Sequence, residues 1–264
     1  MVNRDCSIRM SSVRFNKKVK AFAVERSLVQ GLHSRLQQRF YPSYSFEAAT
    51  QGEAGNPSSS GIRNLTQKRG LRRGVLTDNQ MSKTVTWFNK YSIPVRVLCD
   101  RAALREYAVA HKQTLPACAY KQFTTGLSAP TIKIWQCLRM QQLRPVATQV
   151  PVGVKEWRLG TAVDIETHNE RGEMVLIEIK TGYDTYYHKH TSTPLQHLKG
   201  GINDSPANQH QLQLLVTCEL YRQTKQLAAH VHGVVFRVHA LGIDAIPLQS
   251  WTIQQRKTIL QHVA

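Results

Sequence analysis

The eight residues from Met174 to Thr181 constrain this chain most, because aliphatic side chains at Val175, Ile177 and Ile179 alternate there with Glu178 and Lys180. Strand side chains point to opposite faces with a period of two, so Glu178 and Lys180 share one face and the three aliphatics can be buried on the other. A second strand reads over Leu159–Thr167 and carries Gly160-Thr-Ala-Val-Asp164. Between the two, Thr167-His-Asn-Glu-Arg-Gly-Glu173 is polar throughout, with Asn169 and Gly172 suited to unusual backbone angles. The segment therefore reads as a hairpin with Asp164 and Glu178 on facing strands.

Two carboxylates on neighbouring strands, with an amine two residues past the second, suit metal-dependent phosphodiester hydrolysis. Mg²⁺ or Mn²⁺ takes oxygen ligands and keeps several waters, so two carboxylates and a phosphate oxygen suffice to hold it. A lysine beside the metal can orient the attacking water or offset developing charge. On Glu-x-Lys alone, an ordinary half-buried hairpin with Glu178 and Lys180 as a solvated pair stands as the other reading.

Elsewhere the periodicity gives helices over Asp100–Lys112 and Pro130–Arg144, a first strand over Thr148–Val154, a helix over Asn208–Thr224 and a closing strand over Val231–His239. The order is αβββαβ. On the long helix, Gln209, Gln213 and Thr217 are spaced i, i+4, i+8 and stack as a polar stripe, facing either a cleft or solvent. In the preceding loop, Tyr183, Tyr186, Tyr187 and Lys189 can stack on bases and meet phosphates, as single-strand binders do. Ordinary loop packing and a weak His188/His190 metal pair are the alternatives there.

The formal net charge is +18, and residues 1–150 hold 24 Lys and Arg against 7 Asp and Glu, whereas residues 151–264 hold 11 against 10. Such a surplus favours an anionic partner such as nucleic acid. Residues 1–78 read as a basic extension or targeting segment outside the compact domain, which then spans 79–264. Helical apolar spacing over Val19–Arg39 fits a mitochondrial transit peptide or a nucleic-acid-binding arm. Residues 48–62 look like a flexible linker, and Lys68-Arg-Gly-Leu-Arg-Arg73 fits a nuclear-localisation signal or a backbone-contact patch through Arg72 and Arg73. No run of apolar residues is long enough for a transmembrane helix, and no secretory signal is read. The location expected is intracellular, mitochondrial or nuclear in a eukaryote. Five scattered cysteines without a Cys-x-x-Cys pair indicate neither disulfide framework nor zinc ribbon.

Gly-Thr-Ala-Val-Asp164, then Val-Leu-Ile-Glu178-Ile-Lys180, then Asn208-Gln-His-Gln-Leu-Gln213 resembles the PD-(D/E)xK nuclease superfamily, in particular its RecB-like exonuclease branch. The resemblance covers roughly residues 120 to 245. It implies a restriction-endonuclease-like α/β core, a central mixed β-sheet flanked by helices. It also implies Asp164, Glu178 and the Ile179 carbonyl as metal ligands, Lys180 as the catalytic lysine, and Gln213 as the helix glutamine at the active site or DNA backbone. The function implied is Mg²⁺- or Mn²⁺-dependent deoxyribonuclease activity, an exonuclease in DNA replication, recombination or repair; some members of the branch hold an iron–sulfur cluster through cysteines near the C-terminus, and with only Cys218 after the site none is expected here. Two departures favour the alternative of a weakened or inactive nucleic-acid-binding relative. Thr217 stands where the branch has tyrosine, with Tyr221 one turn on, and no Asp, Glu or suitably placed His lies between Lys112 and Lys155 to serve as upstream ligand.

Overall fold

The computed structural model describes residues 12–16, 21–41, 60–181, 187–188, 194–198 and 202–264. Eight strands form one mixed sheet. They are β1 (Val13–Asn16), β2 (Ala21–Val24), β3 (Ser27–Gly31), β4 (Arg144–Val154), β5 (Leu159–His168), β6 (Met174–Thr181), β7 (His232–Val238) and β8 (Ile243–Pro247). The order is β1-β2-β3-β5-β6-β7-β8, with β4 against the other edge of β5. Pairing is parallel for β3 with β5 and for β6 with β7, and antiparallel elsewhere.

The helices among the described residues are α1 (Leu32–Arg39), α2 (Ser60–Tyr91), α3 (Val95–Leu98), α4 (Arg101–Ala110), α5 (Ala117–Thr125), α6 (Ala129–Met140), α7 (Pro206–Thr224) and α8 (Ile253–Val263). Local chemistry starts several of them. The side chains of Asp100, Ser128, Ser205 and Thr252 each accept a backbone N–H from the first turn. Pro130 and Pro206 sit at opening positions where a missing N–H costs nothing.

Each face of the sheet buries a layer of helices. Ile165, Val175, Ile177 and Phe236 pack with Met81 of α2 and Ile134, Trp135 and Leu138 of α6. The other face carries Leu176 and Val235 against Leu212, Leu215 and Val216 of α7, Leu32 and Leu36 of α1, and Ile259 and Val263 of α8. The run α6-β4-β5-β6-α7-β7 matches the order read from periodicity, and the β5–β6 turn is held by Asn169, whose Oδ1 accepts the N–H groups of Arg171 and Glu173. Among the described residues no helix is long and apolar enough to cross a membrane.

The amino-terminal expectation needs correction. Residues 13–16 and 21–41 are part of the compact body rather than outside it, because β3 pairs with β5 at Leu159 and Gly160, and Leu32, Leu36 and Phe40 are fully buried. Val19–Arg39 is not one helix. Glu25 and Arg26 have φ of +47° and +74°, which turns the chain between β2 and β3, and helix begins at Leu32. A boundary at residue 78 also falls inside α2, where Thr77, Gln80 and Met81 are already buried.

Candidate active site

The β5–β6 ladder runs from His168 opposite Met174 to Ile165 opposite Ile177, and there it stops. At the next residue a side chain replaces the backbone acceptor: Asp164 Oδ2 accepts the Ile179 N–H at 2.8 Å. Since β4 occupies one edge of β5 along its length, β3 and β6 share the other edge at opposite ends. The two strands therefore part at Asp164, and the opening that results is bordered by Asp164, Glu178 and Lys180. On β4, Gln149 donates from Nε2 to Asp164 Oδ1 at 3.3 Å, from a backbone of φ +52°.

Glu178 is buried on the face opposite the Ile177 layer. Its Oε1 accepts from Lys180 Nζ at 2.7 Å and from Gln213 Nε2 at 2.7 Å, and Lys180 Nζ also donates to Gln213 Oε1 at 3.3 Å. These three side chains come from a strand and from the second turn of α7, so they are fixed by elements rather than by loops. Burial, and next the Glu178 carboxylate, push the Asp164 pKa well above the ordinary carboxylate range, against Lys180 and the Ile179 N–H.

Three further groups belong to this neighbourhood, and none was read from the sequence. Asp78 of α2 is half-buried, and burial followed by Glu178 raises its pKa while Lys180 lowers it. The helix comes close to β6 here: a Cβ on Gly74 would lie 3.2 Å from Thr181 Oγ1. His33 of α1 has its pKa lowered by desolvation and then by Lys180, with Glu178 acting the other way. His210 of α7 is buried and kept well below the usual imidazole value by burial, Lys180 and His33. His33, in the first turn of α1, gave no signal in the sequence that it would come near residue 180. Among the described residues no three His, Cys, Asp or Glu side chains are grouped as a ready set of metal ligands.

The structure thus brings together Asp164, Glu178, Ile179, Lys180 and Gln213. It does not bring the whole helix stripe with them. Gln209 is buried and donates to Asp204 at 2.7 Å, so it is withdrawn from nucleic acid, and the buried Thr217 hydroxyl donates to the Gln213 carbonyl within α7. Tyr221 is buried, its hydroxyl beside Met174 Sδ at 3.6 Å. Tyr187 is 1% exposed and lies under the Arg237 guanidinium, 5.0 Å from the ring centroid, so base stacking on it is corrected to core packing. Tyr183, Tyr186 and Lys189 lie outside the described residues. Arg72 is exposed on α2, while Arg73 is half-buried with its Nε–H out of solvent and lacking an acceptor among the described residues.

No family model matches the chain, and no curated protein matches it. Among solved structures, the crystal structure of SSO0001 is similar at 15% identity, over 74% of this chain and 84% of that one, with a TM-score of 0.28. That likeness is too low to bear on function.

Proposed function

We propose that the chain is a divalent-metal-dependent deoxyribonuclease of the PD-(D/E)xK superfamily, RecB-like branch, with a restriction-endonuclease-like core, acting on DNA ends in replication, recombination or repair. The observation that carries this reading is the pairing of Asp164, at the point where β5 and β6 part, with Glu178 held by Lys180 and Gln213. The donor set is all oxygen. Burial and then Glu178 make the charges of Asp78 and Asp164 costly, with Lys180 opposing them, an environment that suits a small hard dication.

Asp164 and Glu178 would hold the ion, the Ile179 carbonyl adding a further oxygen, and Asp78, electrostatically coupled to both, would be the acid nearest to the upstream place that the stretch from Lys112 to Lys155 lacks. When bound, Mg²⁺ or Mn²⁺ supplies Lewis acidity and a water of lowered pKa. Lys180 would orient the attacking water and offset charge on the phosphoryl oxygens, from a position fixed by Glu178 and Gln213. Gln213 keeps the Glu178 carboxylate turned into the opening. Arg72 and Arg73, which precede Gly74 where α2 nears Thr181, would meet the phosphate backbone.

Cleavage of end-labelled single- and double-stranded DNA with Mg²⁺, Mn²⁺ or excess chelator tests the reading. Wild type is expected to cleave with metal and to stop with chelator, while Lys180→Ala loses about 10²-fold or more in rate. Equal rates for wild type and Lys180→Ala, or cleavage that survives chelation, would refute it. Tight, salt-sensitive DNA binding without turnover would turn the assignment to the inactive binding relative.

A further inference from the structure

A pocket of about 500 Å³ opens at the end of the sheet away from Lys180, where β6, β7 and β8 meet the start of α8. Val175 at its wall is five residues from Lys180 on the same strand, about 16 Å away at the rise of a strand. The pocket is therefore separate from the acidic opening, and its chemistry is the reverse. His230, His232 and Arg256 line it, and no Asp or Glu is among its described lining residues. The two imidazoles stand edge to face with centroids 5.2 Å apart.

Trp251, which also lines the pocket, is 8% exposed, and its indole N–H is buried with no acceptor in hydrogen-bonding distance among the described residues. Buried donors are nearly always paired, so an orphaned one at a pocket wall calls for an acceptor from outside the chain. The remaining polar wall is made of neutral groups, including Asn169 and Gln249. Burial first, and then the neighbouring Arg256 and His232, lower the His230 pKa, which places these basic groups close together. Glu219, the acid that opposes them, is already held by two Arg222 nitrogens at 2.5 and 3.0 Å. The size lies within the range of small-ligand cavities, and imidazole, guanidinium and indole N–H donors with no competing acid suit a compact anion rich in acceptors.

We propose that this pocket is a phosphate-binding site, formed by His230, His232, Arg256 and Trp251. Its ligand is a phosphate group, carried either by a free mononucleotide or by a nucleic-acid strand. The site stands independently of the nuclease reading, because none of its residues belongs to the acidic opening.

The test is titration calorimetry on the full chain in chelator, which silences metal-dependent turnover. The probes are inorganic phosphate, a nucleoside 5′-monophosphate and a short single-stranded oligonucleotide without terminal phosphates. Saturable binding of at least one probe is expected, weakened tenfold or more in Arg256→Gln and in the double variant His230→Asn/His232→Asn. Both histidines are exposed, so the double variant keeps the test alive should Arg256→Gln fail to fold. Preference for the mononucleotide identifies a free phosphate ester, and preference for the oligonucleotide identifies strand backbone. No saturable binding of any probe by wild type, or equal affinity in wild type and the pocket variants, overturns the proposal.

Discussion

Asp164 performs two tasks that conflict. As an acceptor for the Ile179 N–H it ends a ladder neatly, yet burial and Glu178 make its charge unfavourable and raise its pKa. A carboxyl with a folded pKa above its unfolded value near 3.9 binds more protons when folded, so its contribution is intact in acid and is lost as pH rises through the raised value. Asp164→Asn keeps an oxygen for Ile179 and removes the charge. It should therefore melt above wild type at pH 8 in chelator, with the gap closing toward pH 4. Thermal unfolding of both proteins across that range checks this, and a lower melting point for the variant at every pH would show that the carboxylate bonds dominate. His210, held neutral by burial, has the opposite sign: its lowered pKa costs stability as pH falls below about 6.5. Comparing the two proteins at each pH cancels that term.

Among the elements, the β2–β3 hairpin and α1 matter most for how the site is closed. Gly160 accommodates β2, since a Cβ there would lie 2.7 Å from Phe22 Cβ, so this glycine serves close strand packing as well as the run toward Asp164. The hairpin was not legible because Glu25 and Arg26 turn the chain without the Gly or Asn that usually marks such a turn. By contrast β5, β6 and α7 were legible nearly to the residue, because their alternation, turn residues and helical spacing are all local signals. Leu36 is fully buried between α1 and the sheet. Leu36→Ala should cost about 2–5 kcal/mol in denaturant unfolding. A loss under about 0.5 kcal/mol, the scale of a surface change, would mean that α1 is not part of the cooperative unit.

Across the whole molecule, the basic surplus lies in residues 1–150, whereas Asp164, Glu178 and Lys180 come from residues 151–264. With a net charge of +18, affinity for DNA in chelator should fall steeply with salt, by about 10³–10⁵ between 50 and 200 mM if six to ten phosphates are neutralised. Fluorescence anisotropy with a labelled oligonucleotide measures the slope, and a flat response would remove backbone neutralisation from the account. By itself the sequence determined the hairpin, the shared face of Glu178 and Lys180, and the helix bearing Gln213, because strand and helix periods are set by neighbouring residues. Tertiary structure alone decided that Asp78 and His33 join them, that Gln209 and Tyr187 do not, and that His230 and Arg256 share a pocket. Those outcomes depend on which elements pack together, and packing is chosen by the burial of apolar faces from distant parts of the chain, which leaves no mark in the spacing of the polar residues carried along with them.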